Sequence, residues 1–105
     1  EEDDVITIKN RHTGAIMYQF DRENFDNANL GGANFTEADL RLMVMSECYL
    51  GDARFVGADL RCAVFSNTDL RRADFTGADM AGCQFRWCNL DQAKLGGICL
   101  TVAGQ

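Results

Sequence analysis

A large apolar side chain stands at every fifth position from Phe20 to Leu100, 17 apolar residues in 17 places, and the run takes in all seven phenylalanines. In a chain that is 47% hydrophobic, chance gives such a run on the order of a few times in a million. Two residues earlier lies a register of small side chains, with alanine at nine of its 17 places (28, 33, 38, 53, 58, 63, 73, 78 and 93) and Cys48, Cys83, Cys88 and Thr68 at four more. Between the two registers, nine of 17 places (24, 29, 34, 39, 59, 69, 74, 79 and 89) are Asn or Asp. The other two places of each pentad hold eight of the ten glycines. A period of five is neither the 3.6 of a helix nor the 2.0 of a strand, so neither element runs on uninterrupted. A short extended segment that turns the small and the large residue inward must turn the Asn or Asp between them outward. The next two residues then have to turn the chain, which is where glycine collects. Repeated corners of one hand wind the chain into a solenoid of stacked coils.

The pattern seen in Ala28-Asn29-Leu30, Ala38-Asp39-Leu40, Ala58-Asp59-Leu60, Ala73-Asp74-Phe75 and Ala78-Asp79-Met80 resembles that of the pentapeptide-repeat proteins, over about residues 18–103. The resemblance implies an all-β chain wound as a right-handed quadrilateral β-helix, four pentads and twenty residues to a coil. On that geometry the inward residues stack as columns 20/40/60/80/100, 25/45/65/85, 30/50/70/90 and 35/55/75/95. About four coils at ~4.8 Å each give a rod roughly 20 Å long. The motif loosens at Leu42-Met43-Val44-Met45 and at Arg86-Trp87-Cys88.

A solenoid exposes unpaired backbone at its ends unless something covers them. Residues 5–8 and 15–20 are strand-like runs around a turn that carries Asn10 and Gly14, which predicts a hairpin cap over residues 5–17. Residues 1–4, all acidic, are expected to form a frayed tail. At the other end two arrangements are open. Either the last coil stacks on a second copy through Ile98 and Leu100, or the short tail folds across it. Some proteins of the resembled family dimerise through their C-terminal coils.

Composition removes several functions. The net charge is −6 with a pI near 4.5, against the basic surface that nucleic-acid binding needs. No apolar stretch nears the roughly 20 residues of a membrane span, and no basic start leads into an apolar run, so a cytoplasmic protein is expected. The first residue, Glu1, is expected to mark a processed chain or part of a longer one. Five cysteines cannot all pair, they contain no CxxC, and His12 is the one imidazole. Metal and thiol chemistry are therefore not expected, nor a cofactor. Inward positions that form a dry stack leave no pocket for catalytic groups, so the chain is expected not to be an enzyme.

What remains is recognition. Leu42 is the one leucine outside the register, and Val44 and Val64 replace the usual Asn or Asp. With Cys62 they are expected to form an apolar patch two coils high. Arg86 and Trp87, a pairing common in interface hot spots, are a second candidate contact, with the indole as a structural cover for the last coil as the alternative. Certain quinolone-resistance members of the resembled family mimic duplex DNA and engage gyrase. Past residue 17, however, the chain holds 12 acidic and 8 basic residues, a net of −4, where roughly 20 Å of duplex carries about 12 charges. Arg41 and Arg61 are also expected to offset the column Asp39, Asp59, Asp79. The expectation is a rigid protein-interaction or scaffold module with an unidentified protein partner, and gyrase modulation as the alternative.

Overall fold

A pentad alone leaves the backbone groups on both its flanks unpaired. In the computed structural model, which describes residues 5–96 and 101–103, each pentad meets that need with the pentad twenty residues on. Asn29 pairs in parallel with Tyr49, Tyr49 with Asp69 and Asp69 with Asn89. A second side stacks Asn34, Arg54, Asp74 and Lys94, and a third stacks Asp39, Asp59 and Asp79. The fourth side has true strands: β4 (Val44–Ser46), β5 (Val64–Ser66) and β6 (Gln84–Arg86), joined by β7 (Thr101–Ala103) in one parallel sheet. Preceding these are β1 (Ile6–Asn10), β2 (Ile16–Phe20) and β3 (Ala38–Asp39), and the described chain is all β.

The corners lie where the repeat puts them. Every fifth residue from Asn27 to Gln92 has a φ between 52 and 73°, and ten of these are not glycine. Such a backbone costs about 1 kcal/mol for an ordinary side chain. It is held because the N–H groups at the corners pair with the coil above, as Leu42 N–H does with Arg61 C=O (3.0 Å) and Cys62 N–H with Ala81 C=O (2.9 Å).

Inside, Leu40, Leu50, Leu60 and Leu70 are buried together with the column Phe35, Phe55, Phe75 and the pair Phe65 and Phe85. The phenyl rings of Phe55 and Phe75 stack at 4.8 Å and 3°, and those of Phe65 and Phe85 at 5.2 Å and 5°. Cys48, Cys83 and Cys88 are buried among the alanines, while Cys62 is exposed at its corner. Burial pushes the Cys83 thiol up to about 12. Iodoacetamide should therefore alkylate Cys62 in the folded chain and spare Cys48, Cys83 and Cys88 until denaturant is added. Peptide mass mapping checks this, and Cys83 reacting as fast as Cys62 would contradict it.

Both ends depart from the fifth-residue count. Phe20, expected as the first rung under Leu40, lies instead on β2, where it pairs with Ile6 and meets Phe25 edge-on at 5.3 Å. The sheet order β2-β1-β3 is the reason. Here β1 runs antiparallel to β3, with Lys9 opposite Asp39 and Asn10 opposite Ala38, so one step further on Ile8 faces Leu40, and Ile8 is the buried residue. The hairpin turn is held by Asn10, whose Oδ1 accepts from His12 N–H (2.8 Å) and Thr13 N–H (3.0 Å). Tyr18 caps the next side. Its hydroxyl donates to Asn34 C=O (3.0 Å) and accepts from Asn34 N–H (3.2 Å). At the far end Gln84 pairs with Thr101, 17 residues on rather than twenty. Gly96 takes a φ of 63° one residue ahead of the next expected corner, which a glycine does at little cost, and the chain returns to the sheet early.

Candidate functional site

The side built on β4, β5 and β6 turns its corner differently from the others. Elsewhere the small residue's N–H bonds back to the large residue's C=O, as Ala53 does to Leu50 (3.0 Å) and Ala73 to Leu70 (3.1 Å). On this side the residues after the corner are Cys48, Thr68 and Cys88, and their side chains reach down one coil instead. Cys48 Sγ donates to Phe25 C=O (2.9 Å), Thr68 Oγ1 to Met45 C=O (3.2 Å) and Cys88 Sγ to Phe65 C=O (3.3 Å). The backbone is thereby released to extend over three residues per strand, so this side is a small parallel sheet where the others are single bridges.

With Met45, Phe65 and Phe85 turned inward, the outward positions are Val44, Val64 and Gln84 in one column and Ser46, Ser66 and Arg86 in the next. Corners frame the face, with Leu42, Cys62 and Gly82 along one edge and Glu47, Asn67 and Trp87 along the other. Leu42 is 74% exposed, Val44 56% and Trp87 68%, while Val64 is half-buried. The two candidate contacts, Leu42/Val44/Cys62/Val64 and Arg86/Trp87, thus belong to one face, with Leu42 and Trp87 at opposite corners of it. Trp87 projects from a φ of 59° and keeps two thirds of its surface, which a covering indole would not. Arg86 donates from Nε to Gln84 Oε1 (3.1 Å). Ile98 and Leu100 lie outside the described residues.

Tyr49, just past the Glu47 corner, is also partly exposed, but its packing explains it. A Cβ on Gly31 would stand 2.5 Å from its ring and one on Gly51 2.8 Å from its hydroxyl, so Tyr49 fills the space that two glycines leave. Leu42, Val44 and Trp87 have no such account.

Across the Leu42 edge the acidic column is held by arginine. Arg41 binds Asp39 through Nε (2.9 Å) and Nη2 (3.0 Å), and Arg61 binds Asp59 likewise (2.8 and 2.7 Å). Each arginine also faces the aspartate one coil up, Arg41 Nε to Asp59 at 3.7 Å and Arg61 Nε to Asp79 at 3.8 Å. Asp59 is only 4% exposed. The Arg61 hydrogen bonds hold its carboxyl below the usual range, as those of Arg41 do for Asp39. Arg11, which the sequence reading passed over, reaches from the hairpin turn to Gly57 C=O (3.1 Å) and to Asp59 (3.9 Å). Among the described residues no three of His, Cys, Asp and Glu gather where they could hold a metal ion, and no helix is long and apolar enough to cross a membrane.

A family model, the pentapeptide repeat region, matches residues 18–95. The chain is a pentapeptide-repeat protein. Among curated proteins its sequence finds no match. In a pentapeptide-repeat protein the outward Asn or Asp is the background against which Val44 and Val64 stand out. Glu47 joins them as a residue that no sequence argument selected. It obeys the repeat, and only its place on the face with Arg86 gives it interest.

Proposed function

We propose that this pentapeptide-repeat protein is a non-enzymatic, right-handed quadrilateral β-helix that acts as a rigid protein-interaction or scaffold module, with the β4–β5–β6 face as its contact surface. One observation carries the reading: the side with true strands also bears Leu42, Val44, Val64 and Trp87, four apolar departures from the repeat. Exposed apolar surface on a polar rod is where a partner gains most from burial, and a stacked scaffold has little freedom to lose on binding. The inward positions, where an enclosed active site would have to lie, are filled by Phe, Leu, Met and Ala, together with Thr68 and the buried Cys48, Cys83 and Cys88. A DNA-mimicking modulator of gyrase needs free acidic charge, and the arginines bound to Asp39 and Asp59 argue against that alternative.

Val64→Asp and Trp87→Gly test the face. Glycine suits φ 59°, so Trp87→Gly should leave the fold intact or gain about 1 kcal/mol. Pull-downs should then lose the partner with Val64→Asp and weaken at least tenfold with Trp87→Gly, at unchanged circular dichroism and a melting temperature no lower than the parent's. Undiminished capture by both variants would sink the contact face. Strong inhibition of supercoiling by the purified chain would replace the scaffold reading with the topoisomerase one.

A further inference from the structure

We infer that the occupant of this face is a second copy of the chain, docked about a two-fold axis that runs along β5. The inference rests on reading the face as a contact surface. Twenty-residue stacking places Leu42, Val44, Ser46 and Glu47 in a lower row, Cys62, Val64, Ser66 and Asn67 in a middle row, and Gly82, Gln84, Arg86 and Trp87 in an upper row. A two-fold axis along the middle row faces that row onto itself and exchanges the lower row with the upper.

Three complementary contacts then arise from one operation. Leu42, the most exposed apolar side chain, meets Gly82 of the second copy. Gly82 fits it because it projects nothing, and the atoms nearest to a Cβ there would be Cys62 Sγ (3.1 Å) and the Cys62 backbone. Glu47 meets the corner of the second copy that carries Arg86 and Trp87, an acid against a cation that has no carboxylate partner among the described residues. Val64 and Cys62 lie on the axis and meet themselves. The symmetry makes the first two contacts twice. An axis along the stack instead would set Leu42 on Glu47, Val44 on Ser46, Val64 on Ser66 and Arg86 on Gln84, whereas the axis along β5, although it sets Val44 on Gln84, puts Val64 on Val64 and brings Glu47 beside Arg86.

The face is about 15 by 20 Å, roughly 300 Å² of flat footprint from strand and residue spacings. Standard complexes bury about 800 Å² per partner. The dimer is therefore weak and reversible, and its population follows concentration.

Sedimentation equilibrium of the whole chain, from micromolar to submillimolar, should show the mass rising from 11.6 kDa toward twice that value. Val64→Asp should weaken association at least tenfold. Glu47→Arg and Arg86→Glu should each weaken it, and the double charge swap should recover it to within about threefold, which a general surface effect would not do. In a Cys99→Ser background, a short bismaleimide should cross-link copies through Cys62, and Cys62→Ser should abolish the product. A mass that stays at the monomer overturns the second copy, as does a dimer indifferent to Val64→Asp or a double swap that does not recover. A monomer whose capture of a different protein still depends on Val64 overturns the second copy and spares the contact face. A monomer whose capture ignores Val64 overturns both.

Discussion

Replacing Phe55 by alanine should lower the unfolding free energy by about 3–5 kcal/mol, the range for a buried phenylalanine whose site cannot collapse. Phe55 is fully buried between Phe35 (5.4 Å) and Phe75 (4.8 Å), with Phe65 edge-on at 5.8 Å. Stacked coils are spaced by backbone hydrogen bonds above and below, such as Asp59 N–H to Ala38 C=O (2.9 Å), so the neighbours cannot close on the void. A chain of this size has about 5–15 kcal/mol in all, and each kcal/mol is worth about 4–8 °C. Urea and thermal unfolding should both register the loss, and a deficit under about 1 kcal/mol would mean that the coils relax around the gap. Phe20→Ala is the informative control. The fifth-residue count treats the two phenylalanines alike, whereas Phe20 is a half-buried residue on β2 and should cost less than half as much as Phe55.

That contrast marks where the sequence stops being legible. The fifth-residue register survives translation because each rung has the same two neighbours, one coil above and one below, so local pattern and tertiary environment coincide. At the first rung they separate. Phe20 satisfies the register, yet the hairpin docks through β1, and nothing local to residues 5–20 says which strand will lie against Asp39 or that Ile8 will face Leu40. Leu100 keeps the register formally, whereas Thr101 already pairs with Gln84, three residues short of the twenty-residue spacing, so the apolar count hides the change and only Gly96, which turns one residue before the expected corner, hints at it.

The candidate site was half legible for a related reason. Leu42, Val44 and Val64 stand out because they break a rule, and so does Trp87. That Arg86 lies on the same strand as Gln84, one coil above Ser66, follows from twenty-residue arithmetic. Yet the motif's looseness at Arg86-Trp87-Cys88 draws attention away from the count. Cys88 resolves this. Its thiol bond to Phe65 C=O repeats the bonds of Cys48 and Thr68, so the departure from alanine marks a second kind of corner. Glu47 and Arg11 broke no rule, and their roles come from which coils meet.

Acid should unfold the chain, and Asp59 should carry a large share of the effect. Hydrogen bonds from arginine lower the carboxyls of Asp39, Asp59 and Asp69, and those from Arg72 lower Asp52, while Thr76 lowers Asp74. These groups titrate lower folded than unfolded, so in acid the unfolded chain binds more protons. The stabilisation is complete above about pH 4, the unfolded value, and is lost as pH falls through the lower folded values. The arginines are half exposed, and solvent screens most of these pairs. Asp59 differs, since its carboxylate is buried, bound twice by Arg61 and approached by Arg41 and Arg11. Asp59→Asn should therefore cost about 1–3 kcal/mol at neutral pH and flatten the decline of the urea midpoint below pH 4, whereas Asp52→Asn, at an exposed corner, should do little of either. A variant at Asp59 that matches the parent in both midpoint and pH slope would show that the ladder on that side is decorative, and that the clasp of Arg11 holds the hairpin through Gly57 C=O alone.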